Sequence, residues 1–177
     1  MADDKPGASL PFPAEEDLPE GDLRQGIELL FYAYRDFTAE PDAILAEICF
    51  GRAHHRVIYF VGRHPRMSVS ELLAILQITK QSLSRVLSEL VTKGFIHQRP
   101  GREDRRQRLL ELTAKGVELE RRLSENQRAR IARAYREAGA EAVEGFRRVM
   151  LGIITGEEDR RRFEKPAPQL GRRRGGL

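Results

Sequence analysis

Apolar residues recur along this chain at steps of three and four, the spacing of one face of a helix. Leu23, Ile27, Leu30, Tyr34 and Phe37 form the first such stripe and predict an amphipathic helix from an N-cap at Asp22 to about Phe37. Pro41 fits the first turn of a further helix, where no amide donor is required. Ile44, Leu45, Ile48 and Cys49 would supply its apolar side, and Gly51 would bend or end it. Val57, Ile58, Phe60 and Val61 mark another helix over about 52–63. His64-Pro65 closes it, because the residue before proline is pushed out of the helical region.

The pattern is densest between Ser68 and Thr113. Ser68 caps a short helix, Val69 to about Leu76, that buries Leu72, Leu73 and Leu76. Thr79 caps the next helix, which runs to Lys93 and is closed by Gly94. With Leu83 set at zero and about 100° per residue, Val86, Leu87 and Leu90 fall beside it. Gln81, Arg85, Ser88 and Thr92 fall opposite, with Ser84 on the flank. Phe95–Arg99 and Arg108–Leu112 read as two short strands around a charged tip. Thr113 then caps a long helix to about Glu137, despite Gly116 in its first turn. A last helix, about 141–154, carries Val143, Phe146, Val149, Met150 and Ile153.

This arrangement predicts a mainly α fold: a winged helix-turn-helix with a small two- to three-stranded antiparallel wing. The outward face of helix 79–93 is amide, guanidinium and hydroxyl. Arg pairs bidentately with guanine and Gln with adenine, and serines let a helix approach base edges in a major groove. Gln81, Ser82, Ser84, Arg85 and Ser88 are the candidates for that contact. Ser68, Thr79 and Lys80, at helix starts, suit phosphate. The competing reading of such a face is plain solvation. The hairpin tip weighs against it: Arg102 to Arg108 hold four Arg against two acids, a loop that repels itself unless an anion lies near. Which of the arginines would reach into a minor groove is left open by the pattern itself.

Charge sharpens the picture. Residues 1–22 hold seven acids and one Lys, a local −6, and read as a disordered acidic leader over 1–21. Residues 157–177 hold seven bases and four acids, a local +3, and 156–177 reads as a flexible basic tail. Against the overall +4, this leaves +7 on the middle, suited to a polyanion. The single cysteine excludes an internal disulfide framework and fits the cytoplasm. No apolar run is long enough for a membrane span, and no secretory pattern opens the chain. No Gly-rich phosphate loop, nucleophile elbow or metal-ligand cluster appears, so neither an enzyme nor a resident cofactor is expected.

Several segments together resemble the MarR family of winged helix-turn-helix transcriptional regulators. They are 67–73 (MSVSELL), 78–87 (ITKQSLSRVL), 90–96 (LVTKGFI), 104–107 (DRRQ) and 112–116 (LTAKG). The resemblance implies a homodimer with interlocked N- and C-terminal helices that reads a pseudo-palindromic operator, and a repressor is the expected regulator. Residues 22–50 and 114–155 would then form the dimer interface and 52–113 the DNA-binding lobe, within one domain over 22–155. It also implies that Arg106 of the wing set Arg102, Asp104, Arg105 and Arg106 enters the minor groove, braced by Asp104. The stripes on 23–37 and 141–154, short of partners in so small a domain, favour dimerisation independently.

The family's usual control is a small effector held between dimer helices and DNA-binding lobe. His55, Arg56 and Tyr59 are the pocket candidates. A redox-, metal- or haem-responsive regulator is the alternative, resting on Cys49 or on His54 and His55 with His64 and His97 nearby. Cys49 lies in an apolar neighbourhood and reads as a packed core residue. Adjacent histidines point about 100° apart and chelate one ion poorly. A winged-helix protein-interaction module would need exposed apolar anchors where Gln81, Ser84, Arg85 and Ser88 stand.

Overall fold

The computed structural model describes residues 17–101 and 106–164. Its elements in chain order are α1 (Glu20–Ala46), α2 (Arg52–Arg63), β1 (Met67–Ser68), α3 (Val69–Leu76), α4 (Lys80–Thr92), β2 (Ile96–Pro100), β3 (Arg108–Leu112), α5 (Ala114–Ile153) and α6 (Glu157–Glu164). The fold is mainly helical with one small antiparallel sheet of order β1-β3-β2. No helix among the described residues is long and apolar enough to cross a membrane.

The chain divides into two compact units at Ala39/Glu40. The described part of the first unit is the amino-terminal stretch of α1. Leu23, Ile27, Leu29, Leu30, Phe31, Tyr32 and Tyr34 are all exposed there. Thr38 returns its hydroxyl to the Tyr34 and Arg35 carbonyls, a local bond that keeps a polar side chain satisfied within the helix.

The second unit holds the core. Leu45, Val57, Ile58, Val61, Leu72, Leu83, Leu90, Ile96, Leu110 and Leu123 are fully buried or nearly so. Each such side chain contributes roughly 1.5–3 kcal/mol by leaving water. Together with the buried Met67 of β1 they come from every element between the end of α1 and the first half of α5, so the helix-turn-helix and its sheet share one interior. The sheet is pinned by Met67 opposite Leu110 and by five β2–β3 pairs from Ile96 opposite Leu112 to Pro100 opposite Arg108.

Local chemistry sets the ends of the helices. Ser68 Oγ accepts the Glu71 amide at 3.1 Å while Glu71 Oε2 accepts the Ser68 amide at 2.6 Å, a reciprocal capping box. Thr79 Oγ1 accepts the Ser82 amide at 3.1 Å. Thr113 Oγ1 accepts the Gly116 amide and donates to the Gly94 carbonyl at 2.7 Å, tying the start of α5 to the end of α4. Gly94 turns left-handed, with φ 75, where α4 ends.

The structure corrects the sequence expectations in several places. Helix α1 begins at Glu20, two residues before the expected cap at Asp22, and runs through Pro41 instead of restarting there. Proline lacks the donor of an interior turn. Here the ring and Leu45 are fully buried, so packing outweighs the missing bond. The chain then turns at Ile48–Cys49 rather than continuing helical. Cys49 is exposed with φ 56, not packed in the core. Residues 157–164, expected to be loose, form α6. It is fastened by Asp159 Oδ2, which accepts from Gln77 Nε2 at 3.2 Å, and by Arg160, which donates to the Ile154 and Gly152 carbonyls at the end of α5. Residues 1–16 of the expected leader and 165–177 of the expected tail lie outside the described residues. Between Ala114 and Ile153 the helix is broken at Gly139, near the boundary expected between two helices.

Candidate nucleic-acid interface

Helix α4 is anchored from one side. Leu83, Val86, Leu87 and Leu90 are buried in the common core, while Lys80, Gln81, Ser82, Ser84, Arg85 and Ser88 are exposed. The side chains of five of these six, all but Ser82, make no hydrogen bond or ion pair with any described residue. Ser82 Oγ accepts from the Thr79 hydroxyl at 2.8 Å and keeps its own proton for an outside acceptor. Some exposed arginines elsewhere are taken by carboxylates, as Arg121 is by Glu118 and Glu125. On α4 the polar side chains form a row without such partners among the described residues.

They line an open groove of about 740 Å³ formed by Lys80, Gln81, Ser84, Arg85, Ser88 and Glu89. A second depression of about 330 Å³ shares Lys80, Ser84 and Ser88 and reaches Val69, Thr92 and Gln98 of the wing. The amide-rich start of α4 carries no acid in its first turn, so its positive end faces outward uncompensated.

At the start of α3 the Ser68 amide is already taken by Glu71, and only its side-chain hydroxyl proton remains for a phosphate. That amide bond also holds the Glu71 carboxyl below the ordinary carboxylate range. Of the expected wing residues, Arg102, Asp104 and Arg105 lie outside the described residues. Arg106 is exposed in the turn before β3. Beneath the tip the Gly101 amide donates to the Gln107 carbonyl, and Glu111 faces both Arg99 at 3.6 Å and Arg66 at 3.9 Å.

His55, Arg56 and Tyr59 lie together on α2. His55 is half-buried, and Arg56 and Tyr59 are exposed. Burial lowers the His55 pKa below its ordinary 6.5, opposed by the carboxylates of Asp42 and Glu120. His54 is committed elsewhere. Its ring stacks on Phe50 with centroids 4.3 Å apart, Nδ1 accepts the Gly51 amide at 3.1 Å, and Nε2 meets Glu89 Oε2 at 3.0 Å. Among the described residues, no three His, Cys, Asp or Glu side chains converge on a metal-sized site. Glu89 also lines the groove, a place the helical pattern of α4 did not mark. Its place is set by a partner 35 positions away, which no helical period reveals.

A compact helical unit with a capped helix pair, a three-stranded wing and a free polar face on the second helix defines a winged helix-turn-helix protein. The MarR family model matches residues 50–107. The HTH-type transcriptional regulator PetP of Rhodobacter capsulatus is 53% identical over 137 residues, covering 77% of this chain and 82% of that protein. Among solved structures, Streptococcus pneumoniae FabT in complex with DNA superposes with a TM-score of 0.67 at 20% identity, over 78% of this chain and 99% of that one. A mutant MarR from E. coli complexed with operator DNA gives 0.57 at 17% identity, over 76% and 96%. The chain belongs to the MarR family and is a winged-helix transcriptional regulator, not an enzyme.

Proposed function

We propose that this protein binds a pseudo-palindromic operator as a homodimer and represses transcription from it, with α4 in the major groove and the wing alongside. The observation that carries the reading is the row of uncommitted side chains on α4: Lys80, Gln81, Ser84, Arg85 and Ser88. Polar groups left unpaired on a rigidly seated helix are available to base edges and phosphates without first breaking internal bonds. Arg85 and Gln81 read bases, with Ser82, Ser84 and Ser88 close to the groove floor. Lys80, Thr79 and Ser68 hold phosphates, and Arg106 with Arg102, Asp104 and Arg105 works the minor groove. Two relatives of the same fold were solved with DNA, one of them with its operator, which supports the same use here.

Dimerisation is supported by apolar side chains left in water. In the amino-terminal unit these are Leu23, Ile27, Leu30 and Tyr34; in the other they include Ile131, Tyr135, Phe146, Val149 and Ile153. Patches of this kind mark protein interfaces, and a two-fold assembly presents two reading helices to half-sites about one helical turn apart. Residues 22–50 and 114–155 would furnish that interface and 52–113 the reading lobe, between a leader at 1–21 and a tail at 156–177. A small effector bound near His55, Arg56 and Tyr59 would relieve repression by favouring a spacing of the reading helices that misses the half-sites. Selection of bound DNA from a random pool, with sedimentation of the complex, tests the whole reading. A palindromic consensus bound two chains per site is expected. Recovery of no consensus, or a monomer on DNA, would overturn it.

A further inference from the structure

Glu89 stands on the rim of the α4 groove with two cations one helical turn away, Arg85 before it and Lys93 after it. It pairs with neither. In α5 the same spacing and order closes to 2.8 Å at Arg121 and Glu125, though not at Arg133 and Glu137. In α4 a third residue competes for the carboxylate. The Glu89 carboxylate is turned onto His54 Nε2 at 3.0 Å, and the Lys93 ammonium is drawn off to the Ile48 carbonyl at 3.3 Å and the face of Phe50 at 4.4 Å.

His54 cannot readily swing away. Its side chain is 12% exposed against 43% for Glu89, it lies flat on Phe50, and Phe50 is itself edge-on to Phe95. Because Nδ1 accepts the Gly51 amide, the ring proton sits on Nε2 and is donated to Glu89. The amide cap of α2 thus fixes the tautomer that holds the carboxylate.

We infer that His54 is a positioning residue for DNA reading: by holding the Glu89 carboxylate it keeps the Arg85 guanidinium unpaired for a base. The inference rests on the proposed use of α4 in the major groove. An Arg engaged by a carboxylate one turn away would have to break that pair before meeting guanine, and the carboxylate would then repel the neighbouring phosphates. Released from His54, Glu89 would have Arg85 one turn away, in the geometry that Arg121 and Glu125 adopt, while Lys93 is engaged by Ile48 and Phe50.

The test compares binding to the selected operator with binding to a scrambled duplex for the full-length protein. His54→Phe keeps the stack on Phe50 and removes both nitrogen contacts. It should lower the operator preference by about tenfold, the low end of what one bidentate contact discriminates. Adding Glu89→Gln to that variant should restore the preference to within about twofold, since the competing charge is gone. Unchanged preference in His54→Phe or no recovery in the double variant each overturns the inference. A merely structural role for His54 would not be rescued by a change at Glu89. Should His54→Phe be unfolded by circular dichroism, the NMR resonance of Arg85 Nε carries the test. It should coincide in wild type and Glu89→Gln, and a shift between them would show that Arg85 was paired all along. A wild type with no sequence preference would sink the DNA reading, while that resonance still reports whether Glu89 is kept off Arg85.

Discussion

The Cα of Gly116 is pressed against the carbonyl oxygen of Phe95, so that a Cβ built at position 116 would overlap that oxygen and crowd its carbon at 3.1 Å. The same carbonyl accepts the Thr113 amide at 3.0 Å, which fixes the backbone on both sides of the contact. Glycine in a first helical turn weakens a helix by itself, by roughly 0.5–1 kcal/mol relative to Ala. Here it lets α5 lie on the loop that closes α4.

Gly116→Ala should therefore destabilise the protein, against the usual helix preference, by about 2 kcal/mol or more. Thermal unfolding followed by circular dichroism should show a loss of about 5 °C or more. An unchanged or raised midpoint would mean that the α5 start moves away at little cost.

Arg85 and Lys80 should separate base reading from phosphate binding. Arg85→Ala is expected to flatten the operator preference, costing about 1–3 kcal/mol on the operator and little on scrambled DNA. Lys80→Ala should weaken binding to both alike and lower the slope of log affinity against log salt by about one. Titration of both duplexes at several salt concentrations measures each effect. Equal losses for Arg85→Ala on all sequences would remove it from direct readout.

Arg106→Ala should reduce operator affinity by about tenfold or more, the scale of one charged hydrogen bond. Sedimentation should find its assembly state unchanged, because Arg106 is exposed in the wing turn. Unaltered affinity would take the wing residue out of the contact set.

The half-buried His55 gives stability a predictable dependence on pH. Burial lowers its folded pKa below the ordinary 6.5, so below that pH the unfolded chain binds the proton more readily than the native one. Stability contributed by the neutral ring is complete above 6.5 and falls as pH drops from there toward the folded pKa. His55→Gln should narrow the gap between melting temperatures measured at about pH 7.5 and about pH 5.5. An equal gap in the variant would place the acid sensitivity elsewhere.

What could be read from the chain was whatever depends on near neighbours. Ser68 and Glu71 stand three apart and cap each other as that spacing implies. Thr79 with Leu83, Val86, Leu87 and Leu90 announced both the start and the buried side of α4. What escaped depends on distant partners. Pro41 looked like a helix start because its ring breaks a bond locally, and only the surrounding interior outweighs that. The two-residue β1 is too short for any alternation to mark it, and exists because Met67 meets Leu110. The placement of α6 turns on Gln77 and Asp159, 82 positions apart. Cys49 seemed to continue an apolar face, yet it occupies a left-handed turn after the helix has already ended.

Gly139 sits at φ 82, ψ 167, a backbone setting essentially closed to residues with a side chain. One absent methyl group thereby decides the route of everything downstream. An unbroken helix over the 40 residues from Ala114 to Ile153 would run about 60 Å. The break at Gly139 redirects it, and the grip of Asp159 on Gln77, in the turn ahead of α4, lies downstream of that break.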